Sequence, residues 1–129
     1  MIAQRLLSYC REAKGASAVE FALVVPVICA LTIGAFQMCL LMFANNILQF
    51  SVDDAARCAS VKTTICTGAG ATQSHAAATF GFAGMSPTFT ASSAACGSKV
   101  VGSASYTINA IVASVTVPLS ASSCFPIQD

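Results

Sequence analysis

Charge is scarce in this sequence. Only 9% of the 129 residues are Asp, Glu, Lys or Arg, and the formal net charge is +1. So few cations leave no electrostatic footprint for phosphates, which excludes nucleic acid as a partner. Histidine occurs once, at His75, and no two cysteines stand in CxxC spacing, so the usual signature of a zinc site is missing. Beyond the N-terminal segment the titratable side chains reduce to Asp53, Asp54, Arg57, Lys62, His75, Lys99 and Asp129. They form no nucleophile–base pattern: the serines are scattered, and a Cys66–His75 pair would need a free thiol. No catalytic residue, metal ligand or cofactor is therefore expected.

A chain of 129 residues has room for one small domain beside a membrane segment, and a second, enzyme-sized domain is excluded. Disorder is excluded too, because 56% of the residues are apolar and disordered chains are depleted in them. From Phe21 to Val52 there is no charged side chain, and Phe21 to Ala44 is nearly continuous apolar sequence. Roughly 24 helical residues rise about 36 Å, more than the roughly 30 Å hydrocarbon core. A tilted membrane-spanning helix is expected there. Arg5, Arg11 and Lys14 precede it and Asp53 and Asp54 follow it, so the N-terminus is expected on the cytoplasmic side and the C-terminal part outside. A removable secretory signal fits less well, since its apolar region is about 7–15 residues followed closely by small-x-small cleavage chemistry.

The fold class read from these patterns is α+β: a long N-terminal transmembrane and amphipathic helix, then a small disulfide-stapled antiparallel sheet domain. The boundaries are a basic leader at 1–15, a helix over 16–61 with its membrane part at about 21–44, and an extracytoplasmic α+β domain over 62–129. Pro26 removes one backbone bond inside the helix and is expected to kink or loosen it, which membrane helices tolerate. Past the membrane, Leu48, Val52, Ala55 and Ala59 form one stripe, and Gln49, Asp53, Arg57 and Ser60 another. Asp53 and Arg57 are spaced i,i+4 on a solvated face, a pairing that contributes a few tenths of a kcal/mol. A loop is expected around Cys66 to Thr72, and a short second helix over His75 to Gly84.

The last third alternates as strands do, through Val100 to Ile108 and Ile111 to Leu119. A two-residue turn at Asn109-Ala110 pairs Ile108 with Ile111, Tyr106 with Ala113, Ala104 with Val115 and Val100 with Leu119, all on one face. Alanine takes positive φ badly, so a longer loop stays open. A third strand is expected near Pro87 to Ser92.

Location sorts the seven cysteines. Cys29 and Cys39 lie in the apolar span and Cys10 in the leader, each as an unpaired small residue. Cys58, Cys66, Cys96 and Cys124 fall on the oxidising side, where two disulfides are expected and three connectivities remain. The hairpin register brings Cys124 near Cys96, and Cys58 and Cys66 straddle the helix end. Cys58–Cys66 with Cys96–Cys124 is the pairing favoured.

The segment GASAVEF, Gly15 to Phe21, stands at the threshold of the apolar run. An acidic residue costs roughly 2.5–3.5 kcal/mol at the centre of a membrane helix and less near the interface. Glu20 either reaches the headgroups of an ordinary signal anchor or has a function. The order basic leader, glycine, four residues, glutamate, aromatic, apolar helix resembles the class III signal of type IV pilin-like precursors, and Glu20-Phe21 looks like its Flp and Tad variant. AVEFALVVPV and FANNILQFSVDDAARCAS resemble the helices of TadE-like proteins. ACGSKV and SSCFP are similar to their endings, and the loop over 67–93 matches least specifically.

What the resemblance implies is cleavage between Gly15 and Ala16 by a prepilin peptidase. Glycine suits that role because it permits close backbone approach. Glu20 and Phe21 would then set register, the Glu20 carboxylate pairing with the amino terminus of a neighbouring subunit, where a lone buried charge is penalised. Partners so implied are the peptidase, other pilin or pseudopilin subunits through the apolar helix, and inner-membrane lipid. The implied function is a minor pseudopilin that enters or primes a Tad-type pilus for adhesion. The alternative is a single-pass anchor presenting a small sheet for binding.

Overall fold

The structure, a computed structural model, describes residues 14–62, 64–109 and 113–127, with side chains from Ser17 onward. Arg5, Cys10 and Arg11 of the leader, the expected turn residue Ala110, the expected strand residue Ile111, and Asp129 lie outside the described residues. In chain order the elements are α1 (Lys14–Val61), α2 (Ala69–Thr79), β1 (Thr88–Ala94), β2 (Gly97–Asn109) and β3 (Ser114–Phe125). The class is α+β, with a long apolar helix, a three-stranded antiparallel sheet in the order β1-β2-β3, and two disulfides. The chain divides into two compact units, Met1–Met38 and Cys39–Asp129.

Within the first unit α1 runs through Pro26 without ending. The helix is long and apolar enough to cross a membrane: its most apolar window has a mean hydropathy of 2.3, and none of it is buried. Phe21, Leu31 and Phe36 are 71%, 69% and 63% exposed. Thr32 is polar, and its hydroxyl donates back to the carbonyls of Ile28 and Cys29, both at 3.0 Å. That bonding satisfies the hydroxyl within the helix itself, as any apolar surrounding requires.

The second unit holds the core. The end of α1 presents Ala44, Leu48, Val52, Ala55 and Ala56, all fully buried, at the i, i+4 and i, i+3 spacing of one helical face. The core is completed by Ala76 of α2, the adjacent Phe80, and Phe89, Val100 and Ala121 of the sheet. Small residues let the backbones approach. A Cβ on Gly102 would stand 2.8 Å from Val52 Cγ2 and 2.9 Å from Phe89 Cε1, so no side chain fits there without repacking. Phe80 meets Phe89 edge to face at a centroid distance of 6.3 Å, and Phe82 meets Tyr106 likewise at 6.4 Å.

Three expectations are corrected. The β2–β3 register places Val115 opposite Ile108, Val117 opposite Tyr106 and Leu119 opposite Ala104, four residues from the register of a two-residue turn. A shift of four keeps every side chain on its face, because the strand period is two. The last pair is Asn109 with Ser114, so the connection is the longer loop that Ala110 favours over a tight turn. Second, α2 begins at Ala69 where a loop was expected and ends at Thr79. The buried Thr72 hydroxyl donates to the Gly68 carbonyl at 2.9 Å, which draws the Gly/Thr stretch into the helix start. Third, Ser60 is buried, not on the solvated stripe, and its hydroxyl donates to the Arg57 carbonyl at 3.0 Å.

At the β1–β2 turn Ala94 pairs with Gly97. Gly97 takes φ +121°, and a Cβ there would collide with the backbone of Phe125 and Pro126 at the end of β3. Conformation and close approach both require glycine. β3 is an edge strand, and Pro118 sits exposed within it, opposite Ser105.

Candidate functional site

The candidate processing and register residues all lie on α1. The backbone of Gly15 and Ala16 is helical, continuous with Glu20 and Phe21. Ala16 and Glu20 are i,i+4, hence on one face and about 6 Å apart along the axis. Glu20 is exposed and has no partner among the described residues, and its neighbours Val19 and Phe21 are 61% and 71% exposed. A carboxylate at the head of a bare apolar surface needs lipid headgroups or a cation from elsewhere once water is withdrawn.

The cysteines are joined as Cys58–Cys66 and Cys96–Cys124, with Cα–Cα distances of 5.9 and 6.2 Å. The register argument for the second pair does not hold, since Cys124 lies opposite Lys99 and not beside Cys96. The bond forms because the β1–β2 turn, which carries Cys96, abuts the end of β3, where Ser98 pairs with Phe125. The first pair closes the turn after α1: the Lys62 N–H donates to the Cys58 carbonyl at 2.8 Å, and the Cys66 N–H to the Lys62 carbonyl at 3.0 Å. Cys29 and Cys39 are exposed free thiols.

Sequence reasoning missed one constellation, beside the Cys58–Cys66 bond. His75 of α2 meets Asp54 of α1, with Nε2 and Oδ2 2.8 Å apart and the side chains 33% and 42% exposed. The expected Asp53–Arg57 pair gives way to a Gln49 amide donating to Asp53 Oδ1 at 3.1 Å. A cavity of about 340 Å³ opens there, lined by Asp54, Arg57, Cys58, Val61, Lys62 and His75. Asp54 and Cys58 are i,i+4 on α1, which was readable. The His75 contact spans 21 residues and leaves no local signal.

Residues 15–57 match the family model described as TadE-like protein. The matched segment contains Gly15, Ala16, Glu20, Phe21 and the whole apolar run, and stops one residue before Cys58. No curated protein and no solved structure matches the chain.

Proposed function

We propose that this chain, TadE-like over residues 15–57, is a minor pseudopilin that a prepilin peptidase cuts between Gly15 and Ala16 and that enters or primes a Tad-type pilus for adhesion. The observation carrying this reading is the conjunction on α1 of a glycine, an unpartnered Glu20 and a helix surface left apolar and uncovered from Phe21 to Met38. Such a surface is stable in lipid or against other helices. Before assembly the inner membrane takes it, with the N-terminus cytoplasmic by the charge asymmetry. The two disulfides support an extracytoplasmic domain over 62–129.

In the bundle of a fibre the carboxylate of Glu20 pairs with the new Ala16 ammonium of a neighbouring subunit, so charge matching sets axial register. The folded sheet domain adds far more than the helix a minimal fibre subunit needs, which favours a minor over a major subunit.

The N-terminus tests this directly. Membrane-extracted protein, co-expressed with a prepilin peptidase, is expected to begin at Ala16 by intact-mass spectrometry. A chain still beginning before Ala16 would refute processing and leave the single-pass anchored binding protein as the better reading. The Glu20→Ala chain is expected to be cleaved normally yet to lose most incorporation into sheared fibres. Undiminished incorporation would remove the register role.

A further inference from the structure

The sulfurs of Cys58 and Cys66 and a ring nitrogen of His75 all lie within 4.8 Å of one another. The two sulfurs are joined as a disulfide; its reduction leaves two thiols beside the imidazole, and two thiolates with an imidazole are a common donor set for zinc. Asp54 adds the supporting contact. A carboxylate only accepts, so Nε2 of His75 carries the hydrogen toward Oδ2 at 2.8 Å, and in the neutral ring the lone pair is left at Nδ1. A histidine held by a carboxylate through its other nitrogen is the arrangement that orients metal ligands. The adjoining cavity of about 340 Å³ gives an entry path and room for a water as fourth ligand.

We propose that the dithiol form of this chain binds one zinc ion through Cys58, Cys66 and His75, with Asp54 as the positioning residue, and that metal and disulfide are alternative occupants of one site. A dithiol reductant supplies two electrons and two protons, cleaving the Cys58–Cys66 bond to two thiols and itself becoming a disulfide. Zinc then displaces the two thiol protons. A disulfide oxidant reverses the sequence: it takes two electrons from the two thiolates and two protons from water to become a dithiol, the Cys58–Cys66 bond re-forms, and the zinc ion is released. Both states fasten the end of α1 to the turn after it, and the metal adds α2 through His75. A chain not yet oxidised thereby keeps this corner folded.

The test uses the full-length chain in detergent micelles, reduced with a phosphine, loaded with Co²⁺ or Zn²⁺ and desalted. The reduced chain is expected to retain one metal, with near-ultraviolet thiolate-to-cobalt bands of two-thiolate intensity and the strong visible bands of tetrahedral cobalt. The oxidised chain is expected to retain none. His75→Ala is expected to weaken zinc binding at least tenfold, and Asp54→Asn by about 10–100-fold. The Cys96→Ser/Cys124→Ser chain, whose reduction leaves the site intact, is expected to bind as the parent does. Absence of metal in the reduced parent would overturn the proposal without reference to any variant. Unchanged binding in Cys58→Ser/Cys66→Ser, or unchanged affinity in His75→Ala, would overturn it as well.

Discussion

The double substitution Cys96→Ser/Cys124→Ser is expected to destabilise the region Cys39–Asp129 by more than the double substitution of Cys58 and Cys66. In the chain-entropy account a disulfide acts by restricting the unfolded chain, more so for longer loops. The sequence separations are 28 and 8, which correspond to about 3.6 and about 2.5 kcal/mol at 25 °C. The longer bridge also fastens the end of β3 to the turn that Gly97 closes. Its loss frees the end of an edge strand, while loss of the shorter one loosens a turn that keeps its own backbone hydrogen bonds. Denaturant unfolding of both variants under non-reducing conditions, followed by circular dichroism in detergent, measures the order. A smaller shift for the Cys96–Cys124 variant would contradict it.

Leu48→Ala is expected to cost about 2–5 kcal/mol, the range for leucines deleted from packed cores. Leu48 is 0% exposed and, with Val52 and Val100, is among the largest fully buried side chains. The surrounding alanines cannot extend into the space, so a cavity remains. The control is the same substitution at Leu31, 69% exposed, which should leave the unfolding of the sheet region within about 0.5 kcal/mol. Hydrogen exchange of the β2 amides distinguishes the two. Equal loss of protection in both variants would show that Leu48 has no special place in the core.

These two leucines illustrate what the sequence discloses. An uncharged run marks Leu31 as part of a membrane-length helix, and helical spacing marks Leu48 as facing a core. Spacing alone put Ser60 with the solvated residues, since a hydroxyl bonded to its own helix carries no polar signature outward. Alternation assigned the faces of β2 and β3 correctly and their slide wrongly, because a period of two is blind to a shift of four. The second helix was expected, but its start was hidden by glycine and threonine, whose breaking tendency is reversed by the bond from Thr72 to Gly68. Glu20 was legible through its motif, although its proposed partner belongs to another subunit. His75 and Asp54 were individually visible but jointly illegible, since only the return of α2 past the end of α1 brings them together.

Pro118 carries a consequence for crowded chains at a membrane surface. In an edge strand, proline is accommodated where its nitrogen faces away from the paired strand, and it lacks the hydrogen that an incoming strand would need there. β3 is otherwise long and free of charged side chains, the composition that invites sheet growth from one molecule to the next. A gap in the donor ladder near its midpoint interrupts such growth. Among the described residues no further strand pairs with that edge, so the missing donor falls on the side open to another chain.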